Sequence, residues 1–221
     1  VPFAHYWMHN GYINVDNKKM SKSLGNFFTV RDVAEKYGYE PIRYLMVSSH
    51  YRMPINYSVE IIEQCKASLE RLYNCKNNLE FAIENATVAE NDGDNALIEA
   101  YDKHRQKFIS AMDDDLNTAD AITVMFELAK DINTNITNTP SKKLAEESLK
   151  IFMELANVLG LLHVDEKTSL DDEIEALIAQ RNEARKNKDW ATADKIRDEL
   201  KARHIVLEDT PQGVKWKIVN D

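Results

Sequence analysis

The sequence predicts a mainly α-helical protein that ends in a small helix–helix–β-hairpin unit. Over most of residues 58–160, apolar residues recur three, four or seven positions apart, as they do on one face of a helix. Short polar stretches separate these runs, which favours a bundle of neighbouring helices. Near the end, residues 205–208 and 214–219 alternate apolar and polar side chains around a turn with Pro and Gly, as in a β-hairpin.

The chain opens with a strand, a loop and a first helix. Residues 12–15 predict a short strand, and the polar loop 16–26 follows it. Thr29 and Asp32 have the spacing of a capping box, with Asp in place of Glu. Gly38 is a natural end for the helix that they begin.

A second short helix and a linker come next. Pro41 suits the first turn of a helix expected over residues 42–49. Residues 50–57 contain Pro54, and we interpret them as a linker. The segment 1–57 therefore forms the first predicted domain.

The predicted second domain, residues 58–165, is a four-helix bundle. Ser58 is placed to cap the first and longest helix, and Asn117 or Thr118 is placed to cap the third. Ser141, after Pro140, starts the fourth. The other three helices are expected at about 96–112, 118–136 and 141–160.

The predicted third domain, residues 171–221, is small. Two helices are expected at about 172–187 and 190–203, followed by the hairpin. Asp189 has the position of a helix cap, and we assign Trp216 to packing within the hairpin.

Composition and charge exclude several classes of protein. The 221 residues are 43% hydrophobic and 29% charged, and no apolar run is long enough to cross a bilayer. A net charge of -9 argues against a generic nucleic-acid-binding protein. The charge is unevenly distributed, however: the formal net charge is +3 for residues 1–57, -10 for residues 58–170 and -2 for residues 171–221. The two ends thus keep basic groups for phosphate contacts.

Cysteine and histidine give no sign of a metal site. Cys65 and Cys75 lie ten residues apart in one predicted helix, on different faces, so we expect two reduced core thiols and no disulfide. His5 and His9 are four apart, but they sit in a strand-like stretch without a third ligand nearby.

The loop from Lys18 to Asn26 carries the clearest chemistry. Lysines, serine hydroxyls and a following glycine, placed between a strand and a helix, suit a phosphate-handling loop. Composition alone equally fits a solvated charged loop. The string Lys19-Met20-Ser21-Lys22-Ser23, in contrast, resembles in full the signature of class I aminoacyl-tRNA synthetases.

Further strings resemble one branch of that class, the cysteinyl-tRNA synthetases, and they occur in order along nearly the whole chain. They are residues 6–11 (YWMHNG), 24–32 (LGNFFTVRD), 43–45 (RYL), 49–52 (SHYR), 112–118 (MDDDLNT), 160–162 (GLL), 173–178 (EIEALI), 188–190 (KDW) and 206–213 (VLEDTPQG). The resemblance implies a remnant of the class I catalytic region, with its loop and helix pair, before an anticodon-binding type of bundle.

The resemblance also implies an activity and its cofactors. Such enzymes activate cysteine with ATP and Mg²⁺ and then esterify the 3′ end of cysteine tRNA, in the cytoplasm. Lys22 is implied as the main ATP-contacting and catalytic residue, with Lys19 assisting. Ser21, Ser23 and Met20 complete the implied ATP-binding loop.

Two parts of the family pattern do not occur in this sequence. These are the His-x-Gly-His nucleotide string and the Cys, His and Glu ligands of the zinc site that selects cysteine. Because residues 1–7 also read as the middle of a protein, we expect a C-terminal portion. We expect zinc only in the other half, and no aminoacylation by this chain alone.

The terminal domain is implied to read the anticodon through Arg185, Trp190, Asp194 and Asp209. Arg suits guanine, carboxylates accept from base amino groups, and aromatic rings stack on unpaired bases. Each residue also has an ordinary interpretation: Trp190 as packing against the hairpin, Arg185 and Asp194 as surface charges, and Asp209 as a turn residue. We further expect the acidic side chains of residues 58–170 to lie mostly on the face turned away from the tRNA.

Two other functions stay open at this point. One is a synthetase-derived ligase that joins cysteine to an amino sugar, although such an enzyme has no need of the terminal domain. The other is a stand-alone RNA-binding module without catalysis.

Overall fold

The computed structural model describes residues 2–136, 141–163, 169–210 and 213–218. The chain forms two compact units, Val1–His163 and Val164–Asp221.

Three short strands form a sheet in the first unit: β1 (Ile13–Val15), β2 (Lys18–Lys19) and β3 (Ile55–Tyr57). Strand β1 is central, antiparallel to β2 and parallel to β3. Asp16 and Asn17 join β1 to β2 with positive φ values of 49° and 61°, the combination that a type I′ hairpin turn requires.

Two expectations are wrong here, since the polar loop contains β2 and the linker contains β3. Strands of two or three residues are too short for an alternating pattern to show in the sequence. Strand β3 also depends on a partner strand about 40 positions earlier, which no local pattern indicates. Residues 2–12 form neither helix nor strand, so His5 and His9 do not lie in a strand.

The helix pair is α1 (Val30–Tyr37) and α2 (Tyr39–Val47). The predicted capping box is confirmed: Asp32 N donates to Thr29 Oγ1 at 3.2 Å, and Thr29 N donates to Asp32 Oδ2 at 2.7 Å. Helix α2 begins three residues earlier than expected, because Gly38 with φ of 80° both ends α1 and starts α2.

The four-helix bundle is confirmed as α3 (Val59–Asn85), α4 (Asp94–Asp113), α5 (Thr118–Asn135) and α6 (Lys142–Leu159). The ends of α4, α5 and α6 lie within two residues of their predicted positions.

Side-chain caps start three of these helices, as the sequence predicts. Ile61 N donates to Ser58 Oγ at 3.3 Å, Asp120 N to Asn117 Oδ1 at 3.2 Å and Leu144 N to Ser141 Oγ at 3.0 Å. Pro140 lies outside the described residues.

The bundle encloses a large apolar core. Cys65 and Cys75 belong to it as free, buried thiols, and burial raises their pKa to about 11 and about 12. The expectation of reduced core cysteines is confirmed. Fully buried apolar residues of this core include Ile62, Leu72, Leu79, Met125, Leu128, Ile132, Phe152 and Leu161.

The second unit contains α7 (Ser169–Lys186), α8 (Trp190–Ala202), β4 (Ile205–Thr210) and β5 (Gly213–Ile218). The strands pair antiparallel, as predicted. The turn residues 211–212 lie outside the described part. The core consists of Ile174, Ile178, Ile196, Leu200 and Ile205, with Leu177, Leu207, Val214 and Trp216 packed partly against it.

Trp216 therefore packs as expected. Within the described ranges, no helix combines the length and apolarity needed to cross a membrane.

Candidate functional site

The loop that follows β2 is held closed by one side chain, that of Asn26. Ser21 N donates to Asn26 Oδ1 at 2.8 Å, and Asn26 Nδ2 donates to Lys19 O at 3.1 Å. Because the amide supplies both an acceptor and a donor, it joins the start and the end of the loop. The backbone between these points is thereby held in a compact shape.

A 3₁₀ turn over Lys22–Leu24 forms the tip of the loop. The hydroxyl oxygens of Ser21 and Ser23 lie 2.7 Å apart, within hydrogen-bonding distance. Gly25 closes the turn with φ of 67°, and a Cβ at this position would meet nothing within 4 Å. Glycine is thus favoured here by the backbone conformation and not by lack of space.

The two signature lysines are both solvent-exposed. Lys19 is the last residue of β2 and pairs with Asn14 of β1. Lys22 Nζ lies 5.3 Å from the centroid of the Phe27 ring, a cation–π distance. The loop therefore presents two ammonium groups to solvent on a fixed backbone, an arrangement suited to an anionic ligand.

Met20, the middle residue of the signature, has a different environment. Its side chain is partly buried and lines an apolar cavity of about 220 Å³ between the small sheet and the helix pair. Phe28, Val33, Leu45 and Tyr57 line the same cavity. This placement favours a role for Met20 in anchoring the loop to the fold beneath it.

A polar joint connects α2 to the end of the bundle, and the sequence analysis did not foresee it. Glu40 Oε1 accepts from Leu162 N at 2.5 Å, and its Oε2 accepts from Tyr73 OH at 2.7 Å. Arg43 Nε donates to Leu159 O at 2.9 Å. Leu162 and Leu159 lie more than 110 residues from Glu40 and Arg43 along the chain, and Tyr73 lies 33 residues from Glu40, so local pattern gives no signal for these contacts.

Gly160 makes this joint possible. It ends α6 with φ of 67°, and a Cβ there would lie 2.6 Å from the Arg43 guanidinium. The resemblance strings at 43–45 and 160–162 are therefore in direct contact.

A second polar network joins the segment after α2 to the α4–α5 connection. Arg52 Nε lies 2.7 Å from Asp115 Oδ2, and Tyr51 OH donates to Asp115 Oδ1 at 2.8 Å. These hydrogen bonds, led by that of Arg52, hold the pKa of Asp115 below its ordinary value of 3.8. Asp115 and Leu116 have positive φ values of 54° and 56°, so the network fixes an uncommon backbone conformation.

In the second unit, three of the four predicted anticodon-reading residues can be placed. Trp190 starts α8 and is 60% exposed, so its interpretation as a packing residue is wrong. Asp194 lies one turn later on the same helix, 3.0 Å from the Arg197 guanidinium. Arg185 is exposed in the last turn of α7. Asp209 pairs with Val214 in the hairpin, but its side chain lies outside the described residues.

Asp189 caps α8, as predicted. Thr192 donates to it from Oγ1 at 2.6 Å and from its backbone N at 3.1 Å, which lowers the pKa of Asp189 below 3.8. The cap fixes the first turn of the helix, and therefore the position of the exposed indole of Trp190. Arg197 was missed by the sequence analysis, although its spacing of three from Asp194 is the signal of a helical ion pair.

Known protein families match the chain in three consecutive segments. The catalytic-domain model for class I (C) tRNA synthetases matches residues 1–67, and a DALR-domain model matches residues 107–163. The anticodon-binding-domain model of cysteinyl-tRNA ligase matches residues 167–216.

Among solved structures, the fold is similar to the ternary complex of LeuRS, tRNA and LeuAMS from Agrobacterium radiobacter K84. That match has a TM-score of 0.55 and 22% identity, and covers 66% of this chain and 20% of that chain. The chain thus spans about a fifth of the length of that synthetase.

The loop, the helix pair and the bundle define a portion of a class I tRNA synthetase. The terminal domain narrows the class, and the chain belongs to the cysteinyl-tRNA synthetase family, of which it represents a C-terminal portion.

Proposed function

We propose that this chain supplies the ATP-binding loop and the tRNA-reading surfaces of a cysteine–tRNA ligase acting in the cytoplasm. The observation that carries the proposal is the exposed, clasped loop Lys19–Ser23, in a chain whose family matches run in order from a catalytic domain to an anticodon-binding domain. The substrates would be ATP, cysteine and cysteine tRNA.

The reaction has two steps. A carboxylate oxygen of cysteine attacks the α-phosphorus of ATP, and the bond to the departing pyrophosphate breaks. A hydroxyl of the tRNA 3′ end then attacks the cysteinyl carbonyl carbon and releases AMP. Bound Mg²⁺ would neutralise phosphate charge in the first step.

The residues of this chain would act on the triphosphate. Lys22 and Lys19 supply positive charge to the phosphates, and this charge is most useful as negative charge shifts to pyrophosphate. Ser21 and Ser23 shape the loop and offer hydroxyl donors. Met20 holds the loop against the apolar cavity, so its contribution would be positional.

Anticodon reading is proposed for the second unit. The indole of Trp190 offers an exposed face for stacking on an unpaired base. Arg185, Asp194 and Asp209 carry groups that match the edges of guanine and cytosine. The pair between Asp194 and Arg197 would orient the Asp194 carboxylate, so that one oxygen remains available as an acceptor.

Binding to cysteine tRNA, and to the same tRNA with its anticodon changed, tests the proposal at one fixed moderate salt concentration. We expect a clear preference for the native anticodon. Trp190→Ala should weaken the native complex by about 1–3 kcal/mol, or roughly 5- to 150-fold. Asp194→Asn should reduce the preference, whereas Asp198→Asn, a change of the other Arg197 partner, should leave it intact.

Equal binding of both tRNAs would remove anticodon reading from the proposal. The loop is tested separately in the full-length enzyme by ATP–pyrophosphate exchange, where Lys22→Ala should lower the rate strongly. Lys66→Ala, which removes an exposed lysine of α3, is the matched control.

A further inference from the structure

The apolar cavity beneath the signature loop, Lys19–Ser23, is larger than the spaces that a packed protein interior usually leaves. It measures about 220 Å³ and lies between the small sheet and the helix pair. Close-packed interiors contain few voids larger than a water molecule. The buried lining residues Val33, Ile42 and Leu45 belong to the large apolar core of the first unit. The cavity therefore reaches from the loop into that core.

One end of the cavity is accessible from solvent. Val30, the first residue of α1, lines the cavity and is 58% exposed, so it lies at the opening. Met20, Met46 and Tyr57 line it as partly buried side chains. A small molecule can thus enter without unfolding the sheet or the helix pair.

The lining suits an uncharged, aromatic molecule. Among the described side chains that line the cavity, only that of Tyr57 carries a polar group. The rings of Phe28 and Tyr57 lie with their centroids 4.5 Å apart and their planes inclined at 53°, and a third ring can pack against such a pair. The flexible thioethers of Met20 and Met46 can adapt to the outline of a guest.

The size of the cavity limits the guest to a few atoms. An apolar cavity of about 150 Å³ is large enough to bind benzene. The cavity described here is larger, so it has room for a molecule of one ring or two fused rings. A charged guest is excluded, because the lining offers no group that would pair with the charge.

Met20 connects the cavity to the signature loop. Its two neighbours are both bonded to Asn26: Lys19 O accepts from Asn26 Nδ2 at 3.1 Å, and Ser21 N donates to Asn26 Oδ1 at 2.8 Å. Of the signature residues, all of which the structure describes, only Met20 lines the cavity. A guest in contact with Met20 therefore touches the loop at the point where Asn26 holds it.

We propose that this cavity binds a small uncharged aromatic molecule, and that an occupied cavity restrains the signature loop through Met20. Binding depends only on the shape and chemistry of the cavity, whereas its effect on ATP rests on the proposed function. Lys22 Nζ lies 5.3 Å from the centroid of the Phe27 ring, and contact with a triphosphate would draw this ammonium group and the loop away from that position. A guest packed against Met20 opposes the movement, so it should weaken ATP binding.

The first test uses indole as the probe and the methionine methyl signals of this chain in NMR as the readout. Aromatic rings shift the signals of nearby methyl groups, so indole should shift those of Met20 and Met46 until the site is saturated. Met125 is fully buried in the bundle and should keep its signal. Indole that carries a protonated aminomethyl group is the control ligand and should shift none of them.

Two variants locate the bound indole. Val33→Phe fills the cavity from its buried end, and Val30→Trp places a large ring at the opening, so each should abolish the saturable shift of Met20. Val59→Trp is the matched control, because Val59 is the first residue of α3, is 49% exposed and lies outside the cavity lining. If Val33→Phe does not fold, the exposed position of Val30 still permits the comparison with Val59→Trp.

The restraint of the loop is measured with and without ATP. Saturating indole should slow hydrogen exchange of the Ser21 amide, which donates to Asn26. In the full-length enzyme, it should raise the KM for ATP in ATP–pyrophosphate exchange by about fivefold, the lower end of ordinary coupling between two sites. Val30→Trp should remove both effects, and Val59→Trp should retain them.

The outcomes separate this inference from the proposed function. Absent or equal shifts of Met20 and Met125, or a shift that Val30→Trp leaves intact, would overturn the cavity as a binding site. Bound indole with an unchanged Ser21 exchange rate would overturn the restraint of the loop. If indole slows that exchange but the full-length enzyme shows no ATP–pyrophosphate exchange even without indole, the proposed function is overturned and the aromatic site stands.

Discussion

The bundle and the C-terminal unit both hold exposed side chains at fixed positions, but their apolar cores differ greatly in size. The bundle buries apolar residues from four helices, with many side chains fully excluded from water. Among the residues that the structure describes, the C-terminal unit packs two helices and a hairpin around a cluster of five buried Ile and Leu side chains. Both units nevertheless present charged and aromatic groups to solvent at fixed positions.

The difference indicates how much disturbance each surface tolerates. A core as large as that of the bundle stays folded when one side chain is truncated. A unit of the size of Val164–Asp221 rarely has more than about 3–5 kcal/mol of stability from one core. The geometry of Trp190 and Asp194 should therefore depend on every residue of the small core.

The largest expected effect follows from this contrast. Leu200 is fully buried in the small unit, and Leu200→Ala should cost about 2–5 kcal/mol, enough to unfold that unit alone. Of the three tryptophans, Trp190 and Trp216 lie in this unit, and Trp7 of the first unit is already 68% exposed, so a change in tryptophan fluorescence reports mainly the unfolding of the C-terminal unit. Circular dichroism reports mainly the helices of the bundle.

Leu128→Ala is the matched change in the bundle, where Leu128 is also fully buried. It should lower the free energy of unfolding of the bundle by a similar amount, but the bundle should stay folded at room temperature. Two results together would refute the contrast. The first is an unfolding transition of Leu200→Ala that occurs at the same point by fluorescence and by circular dichroism, and the second is a fluorescence spectrum before that transition equal to that of the unmutated protein.

The second prediction concerns the end of the bundle at Gly160, where even a small substitution should destabilise the protein. Gly160→Ala places a Cβ on a residue with positive φ, which should destabilise the fold by about 1–2 kcal/mol. It also displaces Arg43 from Leu159 O, a bond to a charged group worth about 1.5–3 kcal/mol. Gly25 has the same φ of 67°, but a Cβ there would meet nothing within 4 Å. Gly25→Ala should therefore destabilise the fold only through the strained backbone conformation.

Urea unfolding of both glycine variants checks this difference. Gly160→Ala should be the less stable by the contribution of the Arg43 contact, and adding Arg43→Ala to each should remove the difference. Equal stabilities of the two single variants would show that the joint contributes nothing measurable.

The smallest expected effect compares one carboxyl group in each unit. Hydrogen bonds from Arg52 lower the pKa of Asp115, and hydrogen bonds from Thr192 lower the pKa of Asp189. For a lowered pKa, the stabilisation is complete above the ordinary value of 3.8 and is lost as the pH falls through the value in the folded protein.

Carboxyl titration by NMR measures both midpoints, which should lie below 3.8. Arg52→Ala should raise only that of Asp115, and Thr192→Ala only that of Asp189. High salt should reduce the shift of Asp115 more than that of Asp189, because only the first partner is charged. Equal salt sensitivity would contradict the assigned causes.

The sequence predicted the fold where a local pattern carries the information. The bundle helices have a clear helical period, and caps such as Thr29, Ser58, Asn117 and Asp189 are defined by residues three positions apart. The short strands β2 and β3 were missed, because each is defined by a partner strand and not by its own residues.

The candidate site shows the same division. The exposed loop follows from its string of residues, and phosphate binding by Lys19 and Lys22 stays a prediction. The roles of Glu40 and Arg43 depend on contacts with residues that are distant along the chain. Such information exists only in the folded chain, so the joint between α2 and the end of the bundle required the structure.

The joint between α2 and α6 also bears on how such a protein diversifies by recombination. A bundle exchanged as a separate cassette would keep these bonds only if the end of its own α6 placed a backbone N beside Glu40 and a backbone O beside Arg43, and its α3 supplied a hydroxyl at the position of Tyr73. A viable hybrid would have to inherit α2 and the end of α6 from the same parent. The unit of inheritance is then larger than the helical bundle, and it includes the segment that carries the loop.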